Sequence, residues 1–221
     1  PVIIDNMMNL DLLFTVSKWT GDNKYKDVAI KHAITTMKNH FRPDYTCWHV
    51  VSYNNDGTVE RKQTHQGKND DSSWSRGQAW AVYGYTSCYR ETNDTTFLNF
   101  AVNIADMIME RVKTDDAIPY WDYDAPVTEE TPRDASAAAV TAAGFIELST
   151  MVPDGKKYLD YAEKILKSLS SDAYLAKAGE NQGFILLHSV GSLPNGSEID
   201  TPLNYADYYY LEALKRFMDL K

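Results

Sequence analysis

The stretch Asp70–Trp80, DDSSWSRGQAW, places two tryptophans and an arginine among small polar residues. Trp74 and Trp80 offer aromatic faces, which stack on the C–H surfaces of sugar rings. Arg76 stands between them and can hold a carboxylate through two parallel hydrogen bonds. Trp80 also falls on the apolar stripe of a helix that begins here, so a place in the core is the alternative for this side chain. Together with Gln66, in THQG, this stretch predicts a site for a sugar acid.

Two further side chains could do chemistry near such a site. Asp5, in IDNMMN, follows an apolar pair and precedes a predicted helix. An aspartate there is either an N-cap, which the spacing alone favours, or a catalytic carboxylate at the floor of a pocket. His49, in CWHVVSY, stands in a long loop, where a lone histidine is more often a plain surface residue. His65, beside Gln66, is a similar case.

The composition argues against several classes of function. The formal net charge is −9, and nucleic acids and anionic membranes both bind basic surfaces. No apolar run reaches the roughly 20 residues that a membrane-spanning helix needs. The five histidines and two cysteines show no metal-binding spacing, so we expect no metal and no other cofactor. Cys47 and Cys88 are expected to be buried thiols, with a disulfide as the alternative.

A repeated pattern organises the chain into helical hairpins. In three segments, turn residues are followed by an aromatic residue, an alanine four positions later and further apolar residues at helical spacing. These segments are residues 21–33, 92–106 and 153–166. Each follows a more apolar predicted helix, at about residues 6–19, 75–92 and 134–152, and a last helix is predicted over 204–220. Strand signals, such as HVVSYN, are confined to loops, so the sequence predicts an all-α fold.

The two kinds of predicted helix differ in their apolar coverage. The helices of the repeat are amphipathic, as outer helices are, whereas those that precede them are apolar on nearly all sides, as buried inner helices are. Inner and outer helices in alternation predict an α/α toroid. A closed toroid of this kind takes about twelve helices, and the sequence predicts seven. We therefore expect the N-terminal helices of the toroid to be missing from this sequence.

The same architecture indicates where a site should lie. All inner helices of a toroid begin at one end of the barrel, and the long loops 40–74, 114–133 and 174–203 enter at that end. The N-terminal ends of helices favour anions. Aromatic and acidic residues at 117–126 and 205–214 are expected at the same end, although most of these aromatics are expected to be structural. A pocket for a carboxylate-bearing ligand is predicted there.

Several motifs, in this order along the chain, resemble the unsaturated glucuronyl hydrolases of glycoside hydrolase family 88. They are IDNMMN, HQG, DDSSWSRGQAW, YGY, CYRET, PYWDYDAP, RDASAAA and YADYYYLEAL. The resemblance runs from about residue 3 to the last residue. It implies an (α/α)6 barrel, of which residues 1–221 would form the C-terminal, larger part of a single catalytic domain. The unsaturated rhamnogalacturonyl hydrolases share that fold, but SSWSRGQAW looks more like the glucuronyl group.

The resemblance also implies a substrate and a reaction. The substrate is an oligosaccharide left by a polysaccharide lyase, with a C4=C5 unsaturated uronic acid at its non-reducing end. The enzymes hydrate this double bond, and the resulting hemiketal opens and releases the rest of the sugar chain. One carboxyl group can give a proton to C4 and accept one from water, so the implied mechanism is general acid–base catalysis.

The site residues carry over one by one from the resemblance. Asp5 matches the general acid and base, and His49 matches a loop histidine close to the reacting ring. Gln66 and Arg76 match polar contacts to the ligand. Trp74 and Trp80, in the same motif as Arg76, match the aromatic walls on which the sugar ring stacks.

One departure from the family pattern leaves alternatives open. The family has a second essential aspartate upstream of the motif that contains Asp5, and this sequence starts four residues before Asp5. The missing N-terminal part could be another segment or a separate chain. The alternatives are therefore an unsaturated rhamnogalacturonyl hydrolase and a catalytically incomplete fragment that binds carbohydrate. Family members occur in the bacterial cytoplasm and periplasm, and the periplasm is the preferred expectation.

Overall fold

A computed structural model describes residues 1–220. Its helices are α1 (Leu10–Thr20), α2 (Lys24–Asn39), α3 (Ser75–Thr92), α4 (Thr95–Arg111), α5 (Ala135–Ser149), α6 (Lys156–Leu169) and α7 (Asn204–Asp219). Short 3-10 helices span Ile4–Asn9, Asn181–Gly183 and Leu193–Asn195. The three predicted hairpins and the last helix are confirmed. The first inner helix differs from the prediction, because it begins as the 3-10 turn at Ile4.

A small antiparallel sheet accompanies the helices. Its strands are β1 (Val2–Ile3), β2 (Val50–Tyr53) and β3 (Val59–Gln63), in the order β1-β2-β3. The last two form a hairpin inside the first long loop, where the sequence placed its strand signal. The register pairs Ile3 with Val50. The sheet therefore fixes the start of the chain against the residues that follow His49.

The inner helices pack closely because small residues face one another. Helix α5 packs between α3 and α7, and nearly all of its residues are buried. A Cβ atom added to Gly144 would lie only 3.2 Å from the Tyr83 Cα on α3. The aromatic–alanine pairs of the repeat are buried at Phe97 with Ala101 and at Tyr158 with Ala162. Burial on all sides of α3 and α5 confirms that they are inner helices.

Exposed apolar side chains mark the two edges of this arc of helices. Among large apolar residues, most of the exposed ones lie on α1, α2 and α7 or directly after α7, and the others lie in loops. They are Leu12, Trp19, Val28, Ile34, Tyr208, Leu211, Met218 and Leu220, with Val127 and Ile199 in loops. The Trp19 side chain reaches 80% exposure. Apolar surface that stays uncovered in this way is typical of a face that contacts another segment or protein.

The three long loops meet over the first turn of α3. The amide of Gln66, in the first loop, donates a hydrogen bond to the carbonyl of Gly191 in the third loop, at 2.7 Å. The second loop joins them through a β-bridge between Trp74 and Asp122. The predicted convergence of loops at the inner-helix starts is thus confirmed. Within residues 1–220, no helix is both long and apolar enough to cross a membrane.

Candidate active site

Asp5 lies inside the 3-10 turn, so the prediction that it caps a helix is wrong. The N-cap of that turn is Ile3, which makes no side-chain capping bond. The backbone N–H of Ile4 donates to the carbonyl of His49 at 2.9 Å, and this bond holds the turn against the first loop. The fold thereby brings Asp5 and His49 together, although 43 residues separate them in sequence.

The Asp5 carboxyl group is largely uncommitted. Its Oδ2 atom is buried and has no hydrogen-bond partner among residues 1–220, and the closest basic atom is His49 Nε2 at 3.5 Å. Burial raises the pKa of Asp5, whereas its own backbone N–H, the Arg76 charge and the Trp80 indole act in the opposite direction. A carboxyl group with a raised pKa retains its proton more readily and is suited to general acid catalysis.

His49 is buried, so the alternative that it is a plain surface histidine is wrong. Its Nδ1 atom accepts hydrogen bonds from the backbone N–H groups of His65 and Gln66, each at 3.2 Å. Its ring lies 4.4 Å from the Trp74 ring, at an angle of 30°. Burial lowers the pKa of His49 to about 3, with help from the positive charges of His65 and Arg76. The imidazole is therefore neutral near neutral pH.

Arg76 is almost completely buried and is held by protein groups. Its guanidinium donates to Asp134 Oδ2 at 2.9 Å and to the carbonyl oxygens of Val190 and Gly191. Asp134 in turn caps α5 by accepting from the backbone N–H of Ser136. This cluster ties the first turn of α3 to the start of α5 and to the third loop. Only the Arg76 Nε–H and one Nη2–H have no hydrogen-bond partner in the described chain, so a contact with a ligand carboxylate stays a prediction.

Both tryptophans of the DDSSWSRGQAW motif belong to the hydrophobic core. Trp74 is 2% exposed, because the His49 ring and the Arg76 guanidinium, 4.5 Å from the Trp74 ring, cover it. Trp80 is 7% exposed and contacts the rings of Tyr205 and Tyr209. The Trp80 Nε1–H is buried and donates to no described residue. Little of the Trp74 surface is left for a sugar, whereas Trp80 retains an unused donor near Asp5.

Sequence reasoning missed two groups at this site. The sequence pattern gave no signal for Asp134, because its pairing with Arg76 spans 58 positions. Tyr205, whose ring lies 5.3 Å from the Arg76 guanidinium, was grouped with the mainly structural aromatics. Asp122 and Trp121, in PYWDYDAP, do not contact Asp5. Asp122 accepts bonds from Lys68 and Ser72, and Trp121 belongs to a separate apolar cluster.

The cysteines and metal-ligand residues add no further chemistry to this site. Cys47 and Cys88 are buried free thiols, as predicted, and burial raises the pKa of each to about 12. In the part of the chain that the structure describes, no three His, Cys, Asp or Glu side chains are grouped so that they could hold a metal ion.

The sequence and the structure were compared with known proteins. The chain is 50% identical to an unsaturated glucuronyl hydrolase of Formosa agariphila over 222 residues, which cover 100% of this chain and 55% of the relative. It is 34% identical to an unsaturated chondroitin disaccharide hydrolase of Streptococcus pyogenes, over 98% of this chain and 55% of the relative. The chain thus spans about half the length of the curated relatives that it matches.

Two solved structures have the same arrangement of helices. A crystal structure of an unsaturated glucuronyl hydrolase specific for heparin matches all of this chain and 60% of its own chain, with a TM-score of 0.97 and 56% identity. The unsaturated glucuronyl hydrolase of Bacillus sp. GL1 matches 97% of this chain and 58% of its own, with a TM-score of 0.93 and 32% identity. The α/α barrel fold is therefore confirmed. The model of Glycosyl Hydrolase Family 88 matches residues 4–218, and the chain belongs to this family.

Proposed function

We propose that the protein removes a 4,5-unsaturated uronic acid from the non-reducing end of oligosaccharides produced by polysaccharide lyases. The observation that carries the proposal is the Asp5 carboxyl group, whose buried Oδ2 has no hydrogen-bond partner among the described residues and whose pKa is raised. The side chain is 29% exposed, so a ligand can reach it. The names of the similar proteins, which act on unsaturated glucuronyl compounds and chondroitin disaccharides, support the same reaction.

The reaction requires one group that both gives and takes a proton. Protonated Asp5 gives its proton to C4 of the unsaturated ring, and positive charge develops at C5. A water molecule forms a bond to C5 and passes a proton to the Asp5 carboxylate, which restores the acid. The product is a hemiketal at C5. When its ring opens, the C5–O5 bond breaks, C5 becomes a ketone and C1 becomes a hemiacetal that carries a hydroxyl group and the rest of the sugar chain. This hemiacetal collapses to an aldehyde at C1, and the sugar chain leaves as an alcohol that takes up the hydroxyl proton, without direct attack on the glycosidic bond.

The other site residues would orient the substrate and the acid. His49 lies beside Asp5, and the Gln66 Oε1 atom makes no hydrogen bond within residues 1–220. Arg76 and the Trp80 indole can each direct an unused N–H to the ligand. Trp74, which is covered by His49 and Arg76, would hold these two side chains in place rather than stack on the sugar.

We also propose that further helices complete the barrel against the edges formed by α1, α2 and α7. The exposed apolar side chains Leu12 and Trp19 on α1 and Tyr208 and Leu211 on α7 support this, because large apolar side chains left in water at an edge are typical of a face that another segment covers. The added segment, joined to this chain or separate from it, would supply the second carboxylate that the family resemblance implies. Without it, the chain would bind the sugar but turn it over slowly or not at all.

The test is the loss of ultraviolet absorbance of the conjugated double bond. Unsaturated disaccharides derived from chondroitin, heparin and pectin are incubated with residues 1–221, alone and extended by the N-terminal helices of a relative. We expect loss with the extended protein and a decrease in rate of about 100-fold to 10,000-fold in Asp5→Asn. Asp172→Asn, which changes an exposed aspartate in a loop, is the matched control.

Three results would contradict the proposal. If the disaccharides bind to the extended protein without any loss of absorbance, the protein binds carbohydrate and is not a hydrolase. If only pectin-derived disaccharides are consumed, the rhamnogalacturonyl alternative is correct. If Asp5→Asn reacts as fast as the unsubstituted protein, Asp5 is not the acid.

A further inference from the structure

His49 is surrounded by groups that define which of its nitrogens carries the proton. The backbone N–H groups of two successive residues, His65 and Gln66, both point at Nδ1 and lie 3.2 Å from it. Successive N–H groups of this kind form a concave donor site that accepts only a lone pair. A proton on Nδ1 would face two donors and leave both without an acceptor, which is costly in a buried position.

The turn that presents these two N–H groups is itself held rigidly. The Thr64 hydroxyl oxygen accepts from the Gly67 N–H at 2.8 Å, and the Thr64 N–H donates to Asp70 Oδ1 at 2.9 Å. A Cβ atom at Gly67 would lie 2.7 Å from the Thr64 hydroxyl, so this close approach requires glycine. From the other side, the side-chain amide of Gln66 donates a hydrogen bond to the Gly191 carbonyl.

We propose that the Thr64–Gly67 turn fixes His49 as the neutral tautomer that carries its proton on Nε2. The Nε2–H group then donates a hydrogen bond to the Asp5 carboxyl group. The Nε2 atom lies 3.5 Å from Asp5 Oδ2, and a small approach of the two side chains would close the bond. Thr64 and Asp70 are then positioning residues, since they act on the reaction only through His49.

This assignment gives His49 a restricted role in the proposed reaction. Its Nδ1 lone pair is occupied by two backbone donors, and Nε2 already carries a proton, so neither nitrogen can accept a proton from water. His49 cannot act as a general base. Its Nε2–H instead stabilises the carboxylate that forms when Asp5 has given its proton to the substrate. Proton transfer is left to Asp5. The role in catalysis depends on the proposed function, whereas the tautomer itself does not.

Nitrogen NMR of the protein labelled with ¹⁵N-histidine tests the tautomer directly. Long-range proton–nitrogen correlations distinguish a protonated Nε2 from a protonated Nδ1. We expect His49 to show only the Nε2–H pattern from pH 5 to pH 8, with no imidazolium signal. A signal from protonated Nδ1 anywhere in that range, as the other tautomer or as imidazolium, would overturn the proposal.

Two variants test whether the turn is the cause. Thr64→Val removes the acceptor for the Gly67 N–H while keeping the shape of the side chain, and Asp70→Ala removes the acceptor for the Thr64 N–H. We expect each to show a protonated Nδ1 signal below neutral pH and to lower kcat by about tenfold, with little change in KM. Thr58→Val, in the hairpin between β2 and β3, removes a hydroxyl with comparable hydrogen bonds and serves as the control.

The outcomes separate this proposal from the proposed function. If both variants keep the spectrum of the unsubstituted protein, the turn does not set the tautomer and the proposal fails. If the spectra change as expected but no disaccharide is consumed by any form of the protein, the tautomer assignment stands and the proposed hydrolase activity fails.

Discussion

Two carboxyl groups near Arg76, those of Asp134 and Asp5, have opposite surroundings. Asp134 accepts from the Arg76 guanidinium, from the Ser136 hydroxyl and from backbone N–H groups at the start of α5. Asp5 has one buried oxygen with no partner among the described residues. A buried carboxylate with a full set of partners stabilises the fold, whereas one that lacks partners carries a cost. Asp134 thus joins α5 to Arg76, whereas the free oxygen of Asp5 is consistent with its proposed role as the acid.

The sharpest test of this contrast is Asp134→Asn. The substitution leaves the Arg76 guanidinium, which is 2% exposed, without a compensating charge. Loss of one partner from a buried ion pair costs about 3–5 kcal/mol, so we expect the free energy of unfolding to decrease by that amount. Urea denaturation measures it. A decrease below 1 kcal/mol would mean that Asp134 is no more structural than Asp5.

Acid should lower the free energy of unfolding, because the buried histidines His49 and His40 are neutral in the folded protein. Burial lowers the pKa of His49 to about 3 and that of His40 to about 4, whereas the unfolded chain binds these protons near pH 6.5. The stability contributed by each neutral histidine is present above pH 6.5 and is lost as the pH falls towards its folded pKa. From pH 7 to pH 5 we expect a loss of about 2 kcal/mol for each histidine.

Urea midpoints at several pH values, for the protein and for His40→Gln, measure this loss. The variant should lose about half as much stability as the unsubstituted protein over the same pH range. Equal losses would show that His40 is not one of the responsible groups.

Ser136→Ala tests a smaller part of the Asp134 cluster. The Ser136 hydroxyl donates to Asp134 Oδ1 and lies 3.3 Å from Arg76 Nη1. The carboxylate keeps the backbone N–H of residue 136 and Arg76 as partners, so we expect a decrease in unfolding free energy of about 1 kcal/mol. Ser149→Ala, near the other end of α5, is the control. A decrease in unfolding free energy as large as that of Asp134→Asn would contradict the expectation that the Ser136 hydroxyl is a weaker partner of Asp134 than Arg76 is.

Asp5→Asn should have the smallest effect on stability. An acid whose pKa is raised in the folded state destabilises the fold above that pKa, because the unfolded chain ionises more easily. The neutral amide removes this penalty. We expect the variant to be slightly more stable than the unsubstituted protein at pH 7, and this difference to shrink as the pH falls towards the pKa of an aspartate in the unfolded chain. Destabilisation at pH 7 would show that the ionised carboxylate has a structural role.

The helices and the position of the loops could be predicted from the sequence, because both depend on local periodicity and on the topology of hairpins. The repeat around Phe97 and Tyr158 is an example, since an aromatic residue and an alanine one turn apart give the buried face of an outer helix. The prediction for Asp5 as an N-cap failed for a local reason. The chain enters a 3-10 turn there because β1 and the Ile4–His49 bond constrain it.

The contacts that define the site could not be predicted in the same way. The Arg76–Asp134 ion pair depends on the axial register of α3 and α5, which is set by the packing of Gly144 against Tyr83. The environment of His49 depends on the orientation of two peptide groups in a turn. Neither feature has a periodic signal in the sequence, and each requires the tertiary structure.

The bond between the Ile4 N–H and the His49 carbonyl has a consequence for the timing of the proposed reaction. This bond joins the Asp5 turn to the loop that contains His49, and it lies next to β1, a strand of only two residues. Such short elements open locally at a lower free-energy cost than the core. In the proposed reaction, the fraction of molecules with this bond closed would be the fraction ready to react, and the exchange rate of the Ile4 amide hydrogen would report that fraction.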